Sequence, residues 1–395
     1  MVPSLVFLEN FCKVFGYFTC SHSANGRASF SLVDTSSNLA LIGVVPEGKQ
    51  ELALGRRRKP EPRKAGCKKE ENLLQKNKKL GLVFYAVFFG GIMTFFIQNV
   101  FNALQWGSFY SIIALGYCLV YGVLRLINFA HGDIFMTSCY IAFFVVALIT
   151  SHFAGIAGIP LFIITLISTM ALTALLGVTI ERVAYRPLRQ KGANRLYVVI
   201  TALMLGFILE NGNLAILGAS ARSFPDILAK KVWTIGPVTI TNLKVLVIVT
   251  AILIFAGLQI IVQTTTLGMS MRAISYDKFA IPLMGIPVNT VITFTFALGS
   301  ALAAVAGILF GMSYPVMDPY MGMIIGWKAF IAAVVGGIGD IKGAFLGGFL
   351  LGFIEIFVTA LLPSSYKDLV SFVVLLVILT IKPTGFFGIA KSTKI

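Results

Sequence analysis

Charge is scarce in this sequence. Only 12% of its 395 residues are Asp, Glu, Lys or Arg, against roughly 25% in soluble globular domains. A soluble chain with so little charge would have to bury several long apolar helices completely, so a soluble enzyme or binding module is excluded. Histidine is nearly absent. His22, His131 and His152 are too few and too scattered for a metal centre, and no H-E-x-x-H occurs. The five cysteines, Cys12, Cys20, Cys67, Cys118 and Cys139, show no close, even spacing that would mark a disulfide framework. Cys12 and Cys20 with His22 fall one ligand short of a tetrahedral site. Cys118 and Cys139 lie in apolar runs and read as small packing residues. There is no G-x-S-x-G elbow. Gly336-Gly337-Ile338-Gly339-Asp340 lacks the Lys-[ST] ending of a phosphate-binding loop. The chain therefore carries no catalytic constellation, implies no cofactor, and cannot hydrolyse ATP alone by the usual phosphate-loop chemistry.

What it has is apolar length. Hydrophobic residues make up 57% of the chain, and the mean hydropathy is +0.89. Apolar runs fall at 103–124, 134–150, 159–180, 197–218, 243–262, 288–312, 324–338, 343–362 and 368–381. Most approach the ~20 residues needed to cross a hydrocarbon core of ~30 Å. The runs at 324–338 and 368–381 are short, and tilt, re-entry or their flanks must make up the difference. The reading is all-α: a polytopic transmembrane helix bundle of eight or nine spans.

Of the net charge of +16, residues 1–92 carry +7 and the rest of the chain +9; in the body the charges sit between these runs, as in the cytoplasmic loops of membrane proteins, and not in a patch fit for nucleic acid. Segment 181–195 holds Arg182, Arg186, Arg189, Lys191 and Arg195 and should lie inside. Alternation then puts 125–133, 263–287, 339–342 and the tail inside, and 219–242, 313–323 and 363–367 outside. Lys230 and Lys231 go against this rule, but their loop is less basic than 181–195. Residues 1–92 differ from the rest. They mix short apolar stretches with Ser, Asn and Gly and run through Arg56-Arg57-Arg58-Lys59 to Lys78-Lys79. Three readings are open: a disordered cytoplasmic extension, a start assigned too far upstream with the natural chain opening at Met93, or a signal anchor over 80–101. The second is favoured.

Three features carry chemistry. Segment 122–136 (GVLRLINFAHGDIFM) breaks two apolar runs with Arg125, Asn128, His131 and Asp133, and Asp133 is placed to cap the helix that follows. Segment 263–287 is a long loop in which Met271 and Ile274 mix with Arg272, Asp277 and Lys278, suited to a short amphipathic helix that docks on a partner. Gly285 can end that helix in a left-handed turn, while Pro282 should kink it or delay its start. Third, Glu210, Asn211, Asn213, Lys328 and Glu355 interrupt apolar runs at a cost of ~2.5–3.5 kcal/mol for each charge on insertion scales. They either line a polar path or link to one another. Glycine is dense from Gly299 to Gly352, and Gly343-x3-Gly347 and Gly348-x3-Gly352 allow close helix packing.

Segment 122–136 resembles the signature of the branched-chain amino-acid ABC permeases of the LivH type. The likeness continues in order through 181–189 (ERVAYRPLR), 272–287 (RAISYDKFAIPLMGIP), 294–307 (FTFALGSALAAVAG), 318–343 (DPYMGMIIGWKAFIAAVVGGIGDIKG) and 382–388 (KPTGFFG). It begins near Met93. The chain thus divides into an N-terminal extension, 1–92, and a permease domain, 93–395. The resemblance implies a transport subunit of the bacterial cytoplasmic membrane that passes Leu, Ile or Val. Its partners would be a second permease subunit of the LivM type, two cytoplasmic ATPase subunits and an extracytoplasmic substrate-binding protein, all set among membrane lipid. It implies an ATPase-coupling loop carried by Arg272, Ala273, Asp277, Ala280 and Gly285. Asn128, His131, Asp133, Glu210, Asn211 and Glu355 are the candidates for the translocation path. Urea or another amide is the near rival as substrate, and an ion-coupled secondary transporter is the rival mechanism.

Overall fold

The computed structural model describes residues 18–22, 28–32, 64–153, 155–276 and 281–388, with side-chain surroundings from residue 90 on. Two units are distinguished, Met1–Asn77 and Lys78–Ile395. In the first, β1 (Phe18–His22) pairs antiparallel with β2 (Ala28–Leu32). Cys12 lies outside the described residues. The long helix α1 (Lys64–Leu124) contains the 80–101 stretch and the first apolar run.

From there the chain is helical. α2 (His131–His152), α3 (Ile159–Ile180), α4 (Arg186–Gln190) and α5 (Arg195–Leu217) come first. They are followed by α6 (Asn242–Thr264), α7 (Thr266–Tyr276), α8 (Val288–Ser313), α9 (Met321–Gly336), α10 (Ile341–Leu361) and α11 (Tyr366–Ile381). Among the described residues, seven helical segments are long and apolar enough to cross a membrane. α9 and α11 have 16 residues each, about 24 Å at 1.5 Å per residue, which is the shortfall expected from their sequences. Between α3 and α4 the helix continues as one π turn, Glu181–Tyr185. Pro187 follows at once, and its ring would strike the carbonyl four residues earlier in a regular helix; the wider turn accommodates it.

The centre of the bundle is α8, whose residues from Gly299 to Met312 are all buried. α3 lies against it along a four-residue repeat of small side chains, Thr165, Thr169, Thr173 and Gly177, all buried. α2 packs on both α3 and α8, and its Ser138 donates hydrogen bonds to the carbonyls of Phe135 (2.6 Å) and Ala303 (3.2 Å). The glycines of α10 work on two faces. Gly343 and Gly347 meet the backbone of α9 at Ala332 and Gly336, and Gly348 and Gly352 meet α1 at Ser111 and Gly107. α10 is thus a wedge whose contacts are largely backbone on backbone. Its N-terminus is capped by Asp340, which accepts the Lys342 N–H at 3.1 Å. α5 and α6 sit at the edge with most of their apolar surface exposed.

Two short strand pairs tie the loops of the bundle. β3 (Arg222–Ser223) pairs with β6 (Val316–Met317), and β4 (Val232–Ile235) forms a hairpin with β5 (Val238–Thr241). The first of these pairs holds 219–242 and 313–323 at one end of the bundle, the shared side that alternation requires.

Candidate functional site

Segment 125–130 does not behave as a surface loop. α1 ends at Leu124, and Arg125 turns the chain with φ 57°, the one described non-glycine residue in the left-handed region. Such a conformation costs of order 1–3 kcal/mol and persists only where the surroundings impose it. The chain then climbs back beside α1, so that His131 comes to lie against Gly116, about 12 Å deeper than the end of α1. α2 therefore starts inside the bundle. Asp133 is not the cap that its place in the sequence suggested. The helix begins at His131, with Ala130 as its cap residue and no side-chain cap, and Asp133 sits within the first turn. Starting the helix three residues earlier frees Asp133 from capping and turns it toward α5.

Asp133 reaches the middle of α5. Its two carboxylate oxygens lie against Gly206 on α5 and Gly322 on α9, positions where any Cβ would collide with them. Gly132 packs on Gly322 and Gly326 in the same way. These glycines bring α2, α5 and α9 together around a cleft of about 230 Å³, lined also by Tyr117, Phe129, Phe207, Glu210, Trp327 and Phe330. Asp133 is 8% exposed, and its Oδ1 has no hydrogen-bond partner in the protein. Glu210, half-buried one turn beyond Gly206, faces the same cleft.

The other polar candidates lie elsewhere. Asn128 is buried and accepts a hydrogen bond from the Tyr185 hydroxyl at 2.7 Å. His131 is buried with its ring edge-on to Tyr117 at 4.8 Å between centroids. Asn211 is exposed and bonds the Phe207 carbonyl. Asn213 bridges to Thr137 at 3.0 Å. Glu355 belongs to a separate network. It takes Lys328 at 2.5 Å and the Tyr110 hydroxyl at 2.5 Å, while Lys328 also pairs with Asp368 at 2.8 Å. Beside it, burial and then the Glu355 charge push the Tyr314 phenol up to about 12, so it packs as a neutral aromatic against Trp106 and Phe310.

At the basic end, Glu181 is fully buried and holds Arg186 at 3.1 Å and Arg189 at 3.0 Å, with the Thr293 hydroxyl donating at 2.9 Å. Arg189 goes on to Asn289 at 2.7 Å. One carboxylate thus pins the turn after α3 to the start of α8. A second cavity, about 430 Å³, opens here between Arg125, Asn128, Tyr185, Arg195, Tyr276 and Phe296. Its lining draws on segments 125–128, 189–195 and 274–276, three regions that alternation from the basic segment 181–195 expects on one side.

α7 is anchored by Met271 and Ile274, both buried on α6 and α8. It ends at Tyr276, before Pro282, so the proline neither kinks it nor delays its start; Pro282 sits in a separate 3-10 turn, Ile281–Met284. Gly285, with φ 76°, closes that turn and donates to the Pro282 carbonyl at 3.0 Å. Arg272 reaches the Gln263 carbonyl at 3.2 Å, and Ala273 packs against the core. Asp277 and Ala280 lie outside the described residues. Tyr276, Leu283 and Met284 are exposed.

The pairing of Asp133 with the middle of α5 and the aromatic lining of the cleft were not legible in the sequence. Tyr117, Phe207 and Trp327 are apolar-run residues like dozens of others, and only the fold brings them together.

Residues 99–379 match the family described as branched-chain amino acid transport system, permease component. The chain is 38% identical over 305 residues to the high-affinity branched-chain amino acid transport system permease protein BraD of Pseudomonas aeruginosa, covering 76% of this chain and 98% of that one. It is 36% identical over 307 residues to the permease protein LivH of Escherichia coli, with the same coverage. It is 27% identical over 302 residues to a probable LivH of Methanocaldococcus jannaschii, covering 73% and 91%. No solved structure matches the chain at a significant level.

Proposed function

The chain belongs to the family of permease components of branched-chain amino acid transport systems, and we propose that it conducts leucine, isoleucine and valine across a bacterial cytoplasmic membrane as one half of an ATP-driven importer. It is a multi-pass membrane permease subunit and not an enzyme. The observation that carries the reading is the likeness over 98% of the length of two relatives.

The geometry supports a mechanism. In this reading a second permease subunit walls the open side of the cleft between α2, α5 and α9. A binding protein delivers substrate at the end held by β3 and β6. Two ATPase subunits seat the exposed Tyr276, Leu283 and Met284 in an apolar groove. When they close on ATP they displace segment 263–287. Because Met271 and Ile274 root α7 in the core, the displacement reaches Ile274–Tyr276 and changes the basic-end cavity that these residues line. The substrate would cross between the cleft and that cavity.

Reconstitution tests this. Proteoliposomes holding both permease subunits and the ATPases should take up labelled leucine only with ATP and the binding protein. Uptake driven by an ion gradient without ATP would overturn the mechanism, and uptake of urea in place of leucine would overturn the substrate.

A further inference from the structure

The cleft between α2, α5 and α9 is lopsided in charge. Asp133 and Glu210 both line it, and no Lys, Arg or His does. The contrast with the other buried carboxylates is sharp: Glu181 is held by two arginines, and Glu355 by a lysine and a tyrosine. Asp133 is more than nine-tenths buried and leaves Oδ1 without a partner, although a buried charge is tolerated only when paired and hydrogen-bonded. Nor is its position an accident of loose packing. Glycines at 206 and 322 leave room for the carboxylate between two helices, and a Cβ at either would fill that room. Around it stand Tyr117, Phe207, Trp327 and Phe330, a largely aromatic lining suited to an apolar ligand body.

Resting on the importer reading above, we propose that Asp133 and Glu210 form the subsite for the ammonium group of the transported amino acid, the aromatic walls taking its branched side chain. Asp133 supplies the buried acceptor, and Glu210, nearer the opening, supplies the second charge. Since no lining residue is basic, the substrate carboxylate faces the open side of the cleft. A primary ammonium on a branched alkyl body is the chemistry that fits both halves of the lining.

The test uses the assembled transporter in nanodiscs, with Trp327 as the reporter and a Trp327→Phe complex as the blank. Isoamylamine keeps the ammonium and the branched chain of leucine and lacks the carboxylate; 4-methylvalerate keeps the carboxylate and lacks the ammonium. Isoamylamine should perturb the Trp327 emission and 4-methylvalerate should not. Asp133→Asn should weaken the amine response by about tenfold or more, and Glu210→Gln by a smaller factor. Glu210 is half-buried and its amide is isosteric, so this variant reads the subsite even if Asp133→Asn assembles poorly. An equal response to amine and acid, a response to sodium ions alone, or unchanged amine binding in Glu210→Gln would each overturn the proposal. Leucine uptake by the wild-type complex separates the two failures: ATP-driven uptake with unaltered amine binding in both variants sinks the subsite alone, whereas absent uptake sinks the importer reading.

Discussion

Lys328 and Glu355 are charges that an insertion scale would penalise, yet the fold sets them within 2.5 Å of each other, with Tyr110 and Asp368 completing the group. Removing one partner of such a pair costs more than removing both, because a buried charge is left alone. Lys328→Met should therefore lower stability by about 3–5 kcal/mol, read as a fall in the melting temperature of the purified protein. The double variant Lys328→Met, Glu355→Gln should recover part of that loss. A single variant that melts like the wild type would show that the network contributes nothing. The sequence marked these residues as polar intruders and left a link from Glu355 to Lys328 open beside a place for Glu355 on the translocation path. It gave no sign of Tyr110, 245 positions from Glu355, because a tyrosine in an apolar run carries no signal of its partner. Asp133 and Glu210 were legible as charges. That they share one cleft was not, since their meeting depends on Gly206 and Gly322 letting three backbones converge.

Helices were the legible elements, because each is an uninterrupted apolar run. Their starts were less so. α2 begins three residues before the apolar run does, since His131 and Gly132 are helical but not apolar. The threonine face of α3 was overlooked because threonine reads as weakly polar, although Thr165, Thr169 and Thr173 are all buried. The break after α7 was half seen: Pro282 signalled an interruption, but it ends up beyond the helix. Gly285 has the expected positive φ, which a β-branched residue adopts badly, but it closes the separate 3-10 turn and not the helix. Nothing lies within 4 Å of where its Cβ would be, so Gly285→Val should act through the backbone alone, at roughly 1–2 kcal/mol. The expected outcome is normal insertion and abundance, weaker ATPase association, and hydrolysis uncoupled from uptake. If ATPase stimulation and leucine uptake match the wild type, segment 263–287 is not the coupling element.

For the whole molecule, charge placement and loop pairing agree on which segments share a side. In a cysteine-free background, a cysteine at Gly192 should resist impermeant thiol reagents in intact cells, and one at Ser220 should react. The reverse labelling would invert the bundle. The wedge helix α10 bears on how such a bundle can move. Side chains that interdigitate can step from one notch to the next, but peptide planes pressed together at Gly107, Gly336, Gly347 and Gly352 have no second notch to occupy. α1, α9 and α10 should travel as a single slab through the transport cycle, with spin labels on α1 and α10 keeping one separation in every nucleotide state. The displacement would then fall to the loosely held outer panels, α5 and α6. A cleft with one wall on the slab and another on a panel changes its width whenever the panel swings.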